Sequence, residues 1–419
     1  MNSGERPTGA PSQASHGWRR VPRNVWVLSI TSYLTDVSSE MIVSLLPLFL
    51  ANVLGAGTSV IGLIEGLAET TASVLKVFSG WLSDKLGQRK WLTVAGYGLS
   101  TLVKPFLYFA TTWSWVLGVR FADRVGKGIR TAPRDALIAD SIDETQRGLS
   151  FGLHRAMDTA GAFTGLLIAA AVIWAIQAGG GILQRVTFQT VVLVSIVPAA
   201  VAVLVLAFGA RDMPRRREPA RAPSLTLGGF DARYRGFLVI LVVFTLGNSS
   251  DAFLILRAQE RGLSVLAVMG ALLTLNLVYS LVSSPAGVLS DRIGRRRLMV
   301  GGWLIYGLAY LGFGLASAGW QIWLLYALYG VYYGMTEGVA RALVADMVRP
   351  EEHGTAYGVY NAIVGVTAFP ASLIAGLLWQ GLGPWQGFGP AAPFLFGAGL
   401  ALVAALLMTV WMPRLKGGG

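Results

Sequence analysis

A chain of 419 residues with 54% hydrophobic residues, 13% charged residues and a mean hydropathy of +0.57 is no soluble domain, where about 25% of residues are charged. The formal net charge of +12 does not point to nucleic acid, because the basic residues outside the apolar runs sit in short segments between them. No cysteine is present, which excludes disulfides and thiolate metal sites, and His16, His154 and His353 are too scattered for a His-based zinc motif.

Residues 1–23 are rich in Pro, Ser, Gly and Arg and carry no signal-peptide pattern, so a disordered cytoplasmic tail is expected. Runs long enough to cross a bilayer, about 20 residues each, follow near 25–50, 58–82, 91–110, 113–140, 148–175 and 186–209. The segment 211–235 carries Arg211, Arg215, Arg216, Arg217, Arg221, Arg233 and Arg235 among prolines and glycines, and reads as a cytoplasmic linker. Six further runs lie near 236–256, 264–289, 298–317, 319–347, 354–380 and 391–412, before a short tail at 413–419. The expectation is an all-α polytopic membrane protein of twelve transmembrane helices, arranged as six-helix bundles over 24–210 and 236–412. Arg19, Arg20, Arg23, Lys85, Arg89, Lys90, the linker, Arg292, Arg295 to Arg297, Arg414 and Lys416 fall on one side, against Arg185, Arg257 and Arg261 on the other. By the positive-inside rule both termini are cytoplasmic, and a bacterial inner (plasma) membrane is the expected location.

The first half concentrates charge inside its apolar runs. Helix one carries Asp36 and Glu40, and helix two carries Glu65, Glu69 and Lys76 on one face. Lys104 lies on helix three. On helix four, Arg120, Asp123, Arg124, Lys127, Arg130, Arg134 and Asp135 share one face. Asp140 closes that helix, and helix five adds His154, Arg155 and Asp158. Such residues cannot face lipid, so they line a protein interior or a wet path and are functional candidates. Eight acids against eight bases in these five helices imply a pairing network, which is also the structural alternative to a functional role. Glu65 and Glu69, one turn apart, resist simultaneous ionisation, which suits a proton-coupled carrier.

The halves repeat. GWLSDKLGQRK at 80–90 recurs as GVLSDRIGRRR at 287–297, ALIADSIDETQRGLSFG at 136–152 as ALVADMVRPEEHGTAYG at 342–358, and TDVSSEM at 35–41 echoes GNSSDA at 247–252. Parallel six-helix repeats with a cargo site between them at the midplane follow. Where the first half has Arg120, Asp123, Lys127, Glu69, Arg155 and His154, the second has Tyr326, Tyr329, Tyr333, Asn276, Asn361 and Tyr360. Asp251, Glu337, Arg341 and Asp346 retain charge there. The second half is thus expected to supply an aromatic, hydrogen-bonding wall, and Asp251, Asn276, Tyr326, Tyr329, Tyr333, Glu337 and Asn361 are its candidate residues.

The repeated loop motif G-x-L-x-D-x-x-G-x-R-[RK], met at Gly80 to Lys90 and again at Gly287 to Arg297, resembles that of the major facilitator superfamily. SSEM at 38–41, EGLAE at 65–69 and DRVGKGIRTAPRDAL at 123–137 are similar to a bacterial permease group that includes nickel-resistance exporters. The resemblance implies alternating access, with Asp84, Arg89 and Asp140, and Asp291, Arg296 and Asp346, forming a cytoplasmic gate. The helix-four R-x-x-Q-G and helix-five G-x-x-x-G-P patterns of drug/proton antiporters are not matched, since Asp123 and Arg124 follow Arg120 and Leu166 follows Gly165.

The expected function is a proton-coupled exporter of a cation, either a divalent metal such as nickel or a cationic organic compound. An organic or phosphorylated anion gripped by Lys127, Arg130 and Arg134 is the alternative cargo, and a non-transporting membrane sensor or scaffold the alternative of another class. No cofactor, no nucleic-acid partner, no enzymatic constellation and a monomeric state are expected; the metal ligands, if any, are unassigned.

Overall fold

The computed structural model describes residues 21–143, 146–177, 180–213, 229–349 and 352–412. The N-terminal tail up to residue 20, Arg215, Arg216, Arg217 and Arg221 of the linker, and the tail 413–419 lie outside the described residues.

Twelve long helical segments account for most of the described chain. Helix one (Arg23–Val53) is straight to Val43, turns at Ser44 and Leu45, and ends in a π-turn over Phe49–Val53. Pro47 supplies no amide there, which explains the interruption. Helix two (Thr58–Leu86) ends at Gly87, whose φ of 65° is the left-handed cap that glycine adopts without strain. Helix three (Arg89–Val103) tightens into a 3-10 turn over Lys104–Phe109 at Pro105. Helix four (Trp113–Asp140), helix five (Arg147–Gln177) and helix six (Arg185–Gly209) complete the first bundle.

Helix seven is broken: Ala232–Gly247 and Ala252–Glu260 are separate segments joined by Asn248 to Asp251. Arg233 and Arg235, at the end of the basic 211–235 segment, already lie in its first turn. Helix eight (Val265–Ile293), helix nine (Arg295–Leu315), helix ten (Gly319–Ala345), helix eleven (His353–Gln380) and helix twelve (Ala392–Val410) follow. Eight of the twelve have the length and apolarity to cross a membrane. Helices two and four fall short through their charges, helix three through the Lys104–Pro105 break, and helix ten through its tyrosines, tryptophans and glycines.

Packing repeats in the two bundles. Helix four lies on helices two and three as helix ten lies on eight and nine, and helix one packs on six as seven packs on twelve. An apolar core with stacked aromatics holds the second bundle, including Phe244 on Trp303 at 4.6 Å and Tyr306 on Tyr310 at 4.1 Å. Leu102, Trp174, Phe208, Leu281, Leu308 and Leu406 are exposed on the outside, as a surface bathed in hydrocarbon requires.

The bundles meet chiefly where helix two crosses helix eleven. Glycines make the approach: a Cβ on Gly62 would strike the Ser372 carbonyl, one on Gly66 would lie 2.9 Å from that of Phe369, and one on Gly376 would strike that of Thr58. The Thr70 hydroxyl donates to the Gly365 carbonyl at 2.6 Å, and the Thr58 amide to Gln380 Oε1 at 2.7 Å. The seam therefore closes the molecule from the face opposite the chain ends, here called the opposite face, down to about Ser73. The face on which helices one and seven begin and six and twelve end is called the terminal face.

Candidate functional site

Helix four presents its predicted polar face to helices two, three and one. Arg120 is buried and holds Glu65 at 3.0 Å, with Asp123 at 3.8 Å. Arg130 is also buried; it donates to the Ser100 hydroxyl at 2.6 Å and lies 4.4 Å from the Tyr97 ring centroid. Arg134 clasps Asp135 at 2.8 Å and donates to Ser32 Oγ at 3.0 Å. Lys104, the first residue of the 3-10 turn that ends helix three, donates to Ser38 at 2.6 Å and Ser39 at 3.2 Å on helix one. Gly96 and Gly126 let helices three and four touch closely enough for these reaches.

The predicted pair Glu65 and Glu69 divides. Glu65 is buried against Arg120, whereas Glu69 is exposed and, among the described residues, makes no ion pair within 4 Å. Asp36, Glu40, Lys76, Arg124 and Lys127 likewise make none within that distance among the described residues. Arg124 is buried with its Nε unpartnered. Lys127 has Arg124, Glu69, Arg130 and Asp36 as its charged surroundings.

In the second half, Asp251 occupies the break in helix seven and is exposed. It accepts hydrogen bonds from Tyr329 at 2.9 Å and Tyr333 at 3.3 Å, and lies within electrostatic reach of Glu40 and Glu69 across the bundle boundary. Counted from their ends at the opposite face, Asp251, Tyr329, Glu69, Glu40, Tyr333 and Lys127 all sit roughly 13–21 Å deep at 1.5 Å per residue, near a bilayer midplane. Exposed carboxylates at that depth mark water-accessible space between the halves.

Other members of the predicted wall stand apart. Tyr326 is wholly buried against Phe313, with no partner for its hydroxyl among the described residues. Asn276 and Asn361 donate to the carbonyls of Leu272 and Tyr357 within their own helices. Glu337 instead joins Arg155, which also donates to the Tyr279 hydroxyl at 2.8 Å; these contacts tie helix five to helices ten and eight. His154 and Asp158 approach to 3.8 Å.

At the terminal face Arg89 bridges Asp84 and Asp140, each at 3.0 Å. In the second half this place is taken by Arg295, not by the predicted Arg296: Arg295 meets Asp346 at 2.6 Å, the Ala342 carbonyl at 2.7 Å and Asp291 at 3.8 Å. Two residues, Gly87 and Gln88, separate helices two and three, but only Gly294 separates eight and nine. The first residue of the helix is therefore Arg89 in one repeat and Arg295 in the other.

Four features were absent from the predicted set. These are the serines that receive Lys104, Arg130 and Arg134, the break in helix seven, Tyr279 at the bundle boundary, and Arg295. The break had a signal, since Gly-Asn-Ser-Ser-Asp inside an apolar run is poor in helix formers. Among the described residues no three His, Asp or Glu side chains converge as metal ligands.

A model of the Major Facilitator Superfamily matches residues 28–278 and 236–418. An uncharacterized MFS-type transporter of Methanocaldococcus jannaschii is 35% identical over 396 residues, 93% of this chain and 95% of that protein. The multi-drug resistance efflux pump PmrA of Streptococcus pneumoniae is 26% identical over 342 residues, 79% of this chain and 82% of the pump. Among solved structures, a bacterial homolog of the human lysosomal transporter Spinster, inward-facing and occupied, superposes with a TM-score of 0.76 at 15% identity, over 96% of this chain and 98% of that one. The nucleoside transporter NupG does so with a TM-score of 0.72 at 14% identity, over 94% and 100%. These two share the fold. With its repeats, its twelve helices and this match along the sequence, the chain belongs to the major facilitator superfamily and is a multi-pass membrane transporter.

Proposed function

We propose that the protein is a secondary active carrier that exports an organic cation in exchange for protons by alternating access. The observation that carries this reading is that Asp251, on the broken helix seven, lies within electrostatic reach of Glu40 and Glu69 of the other half, all of them roughly 13–20 Å deep at 1.5 Å per residue. A carboxylate at a helix break flanked by tyrosine hydroxyls and rings suits an ammonium or aromatic cation through charge and cation–π contact. The lack of a three-ligand cluster among the described residues favours an organic cargo over nickel. The multi-drug efflux pump relative is consistent with export. Glu69 and Glu40 exchange cargo for protons, while Glu65, Arg120 and Asp123 hold the scaffold. The loop charges support a bacterial inner membrane with both termini, and thus the terminal face, in the cytoplasm; the working unit is a monomer.

Arg124 and Lys127, which make no ion pair within 4 Å among the described residues, favour one second reading, an organic anion held on helix four. Proteoliposomes with an internal pH dye decide between the two. Ethidium or tetraphenylphosphonium should move with proton counterflow, and Asp251→Asn should weaken their binding about 10- to 100-fold, the worth of a hydrogen bond to a charged group. Stabilisation of purified protein by nickel or an organic phosphate, with no response to the organic cations, would overturn the proposal.

A further inference from the structure

Helices one and five run parallel and touch through two glycines. A Cβ on Gly161 would lie 2.5 Å from the Tyr33 carbonyl and 3.1 Å from Asp36 Cβ. One on Gly165 would lie 2.5 Å from the Val37 carbonyl and 3.1 Å from Glu40 Cβ. Asp36 and Glu40 therefore stand against helix five, one turn apart. Nearer the terminal face on helix five itself come Asp158 and then His154. The four groups climb the seam in the order His154, Asp158, Asp36, Glu40, over roughly 16 Å at 1.5 Å per residue.

His154 is the anomaly in this ladder. It is 95% buried (relative exposure 5%), and neither ring nitrogen has a hydrogen-bond partner among the described residues. Its Nε2 faces Asp158 Oδ1, also unpartnered, across 3.8 Å. Buried imidazole nitrogens left unmet are costly, and a polar gap of this length is one that a single water or a small ring rotation closes. Imidazole can take a proton on one nitrogen and give one up from the other, so it passes protons on without a net change of its own.

Deepening the proton-coupled reading above, and resting on it for its purpose, we propose that the seam between helices one and five conducts protons between the cargo level and the terminal face through Glu40, Asp36, Asp158 and His154. At each step an O–H or N–H bond breaks as the next forms, and the proton leaves His154 to water. The neighbours make transient carboxylates tolerable. Arg134 and Asp135 of helix four, with Arg155 of helix five, surround His154. Lys127 and Arg134 face Asp36. Lys127, Arg124 and Arg120 of helix four and Lys104 of helix three face Glu40, with Asp251 across the boundary. Glu65, locked to Arg120, is outside this path.

The test needs no cargo, so it stands or falls separately from the transport reading. Purified protein in detergent is given a rapid drop in pH while the carboxyl stretch is followed by infrared absorption. Wild type should show a fast protonation phase, part of whose amplitude disappears in Asp36→Asn. His154→Gln should slow that phase about tenfold or more while keeping its final amplitude, since a relay sets the rate and not the end point. Asp158→Asn should slow it likewise, and it serves where the histidine variant does not fold. An unchanged rate in the folded variants, or no carboxyl phase in wild type, would refute the seam as a path. Loss of cation transport with the kinetics intact would instead remove only its purpose.

Discussion

Glu65 and Glu69 stand one turn apart on helix two, yet Glu65 is buried on Arg120 at 3.0 Å while Glu69 is exposed to the space between the halves. The same side-chain chemistry thus serves two ends. Among the described residues Arg120 would otherwise keep one carboxylate within 4 Å, that of Asp123 at 3.8 Å. Removing one partner of a buried ion pair costs about 3 kcal/mol or more.

Glu65→Gln is therefore predicted to lower thermal stability by about that amount, whatever the cargo. Glu69→Gln, which breaks no ion pair within 4 Å among the described residues, should lose much less stability than Glu65→Gln but lose proton counterflow in liposomes. Melting curves that show equal losses for both variants would contradict this division of labour.

The bridge from Arg155 to Glu337 and Tyr279 joins the halves on the terminal side of Asp251 and Glu69. The Arg155 side chain is 53% exposed and that of Glu337 32%, so screening limits the pair to at most about 1 kcal/mol. That still moves a two-state equilibrium about fivefold. Glu337→Gln should accordingly raise the labelling rate of a cysteine introduced at Thr159 from the terminal face by up to about fivefold, without a change in melting. Exchanging the charges, Arg155→Glu with Glu337→Arg, should bring the rate most of the way back.

Much of the fold was legible because membrane crossing imposes long apolar runs, and because the Gly80–Lys90 and Gly287–Arg297 loops mark equivalent turns. The pairing inside the first bundle was not. An even count of acids and bases invited a closed set of ion pairs, but Lys104 and Arg130 reach serines instead, at Ser38, Ser39 and Ser100, and Arg134 adds Ser32 to its pair with Asp135. Which groups meet depends on the rotation and rise of neighbouring helices, and composition says nothing about either. The same holds for Arg155, whose partners come from the other half of the chain.

Repeat alignment also misled at one residue. It equates Arg89 with Arg296, but the shorter turn at Gly294 puts Arg295 at the first helical position, where it reaches Asp346 and the Ala342 carbonyl. Arg295→Ala is predicted to cost about 1 kcal/mol, because the ion pair is partly exposed. Arg296→Ala should stay within about 0.5 kcal/mol of wild type, as substitutions away from such contacts do. Differential scanning fluorimetry of the two variants separates the assignments: a larger loss at Arg296 would restore the alignment-based one.

The seam between helices two and eleven is where the closed opposite face is most vulnerable. Gly66 faces the Phe369 carbonyl at 2.9 Å and Phe369 Cα at 3.0 Å from the place a methyl would occupy, and backbone cannot swing aside as a side chain does. Gly80, on the same helix, would meet only Ala132 Cβ at 3.4 Å, an ordinary contact. Overpacking of this kind costs about 1–3 kcal/mol. Because the cost falls only on the state in which the seam is closed, Gly66→Ala is predicted to favour the opening of the opposite face about tenfold, whereas Gly80→Ala leaves the balance unchanged. The chain has no native cysteine, so a single cysteine at Ser59 gives a clean reading with a membrane-impermeant maleimide. Equal labelling rates in the two glycine variants would mean that helices two and eleven separate elsewhere, and that the glycine contacts do not govern closure of the opposite face.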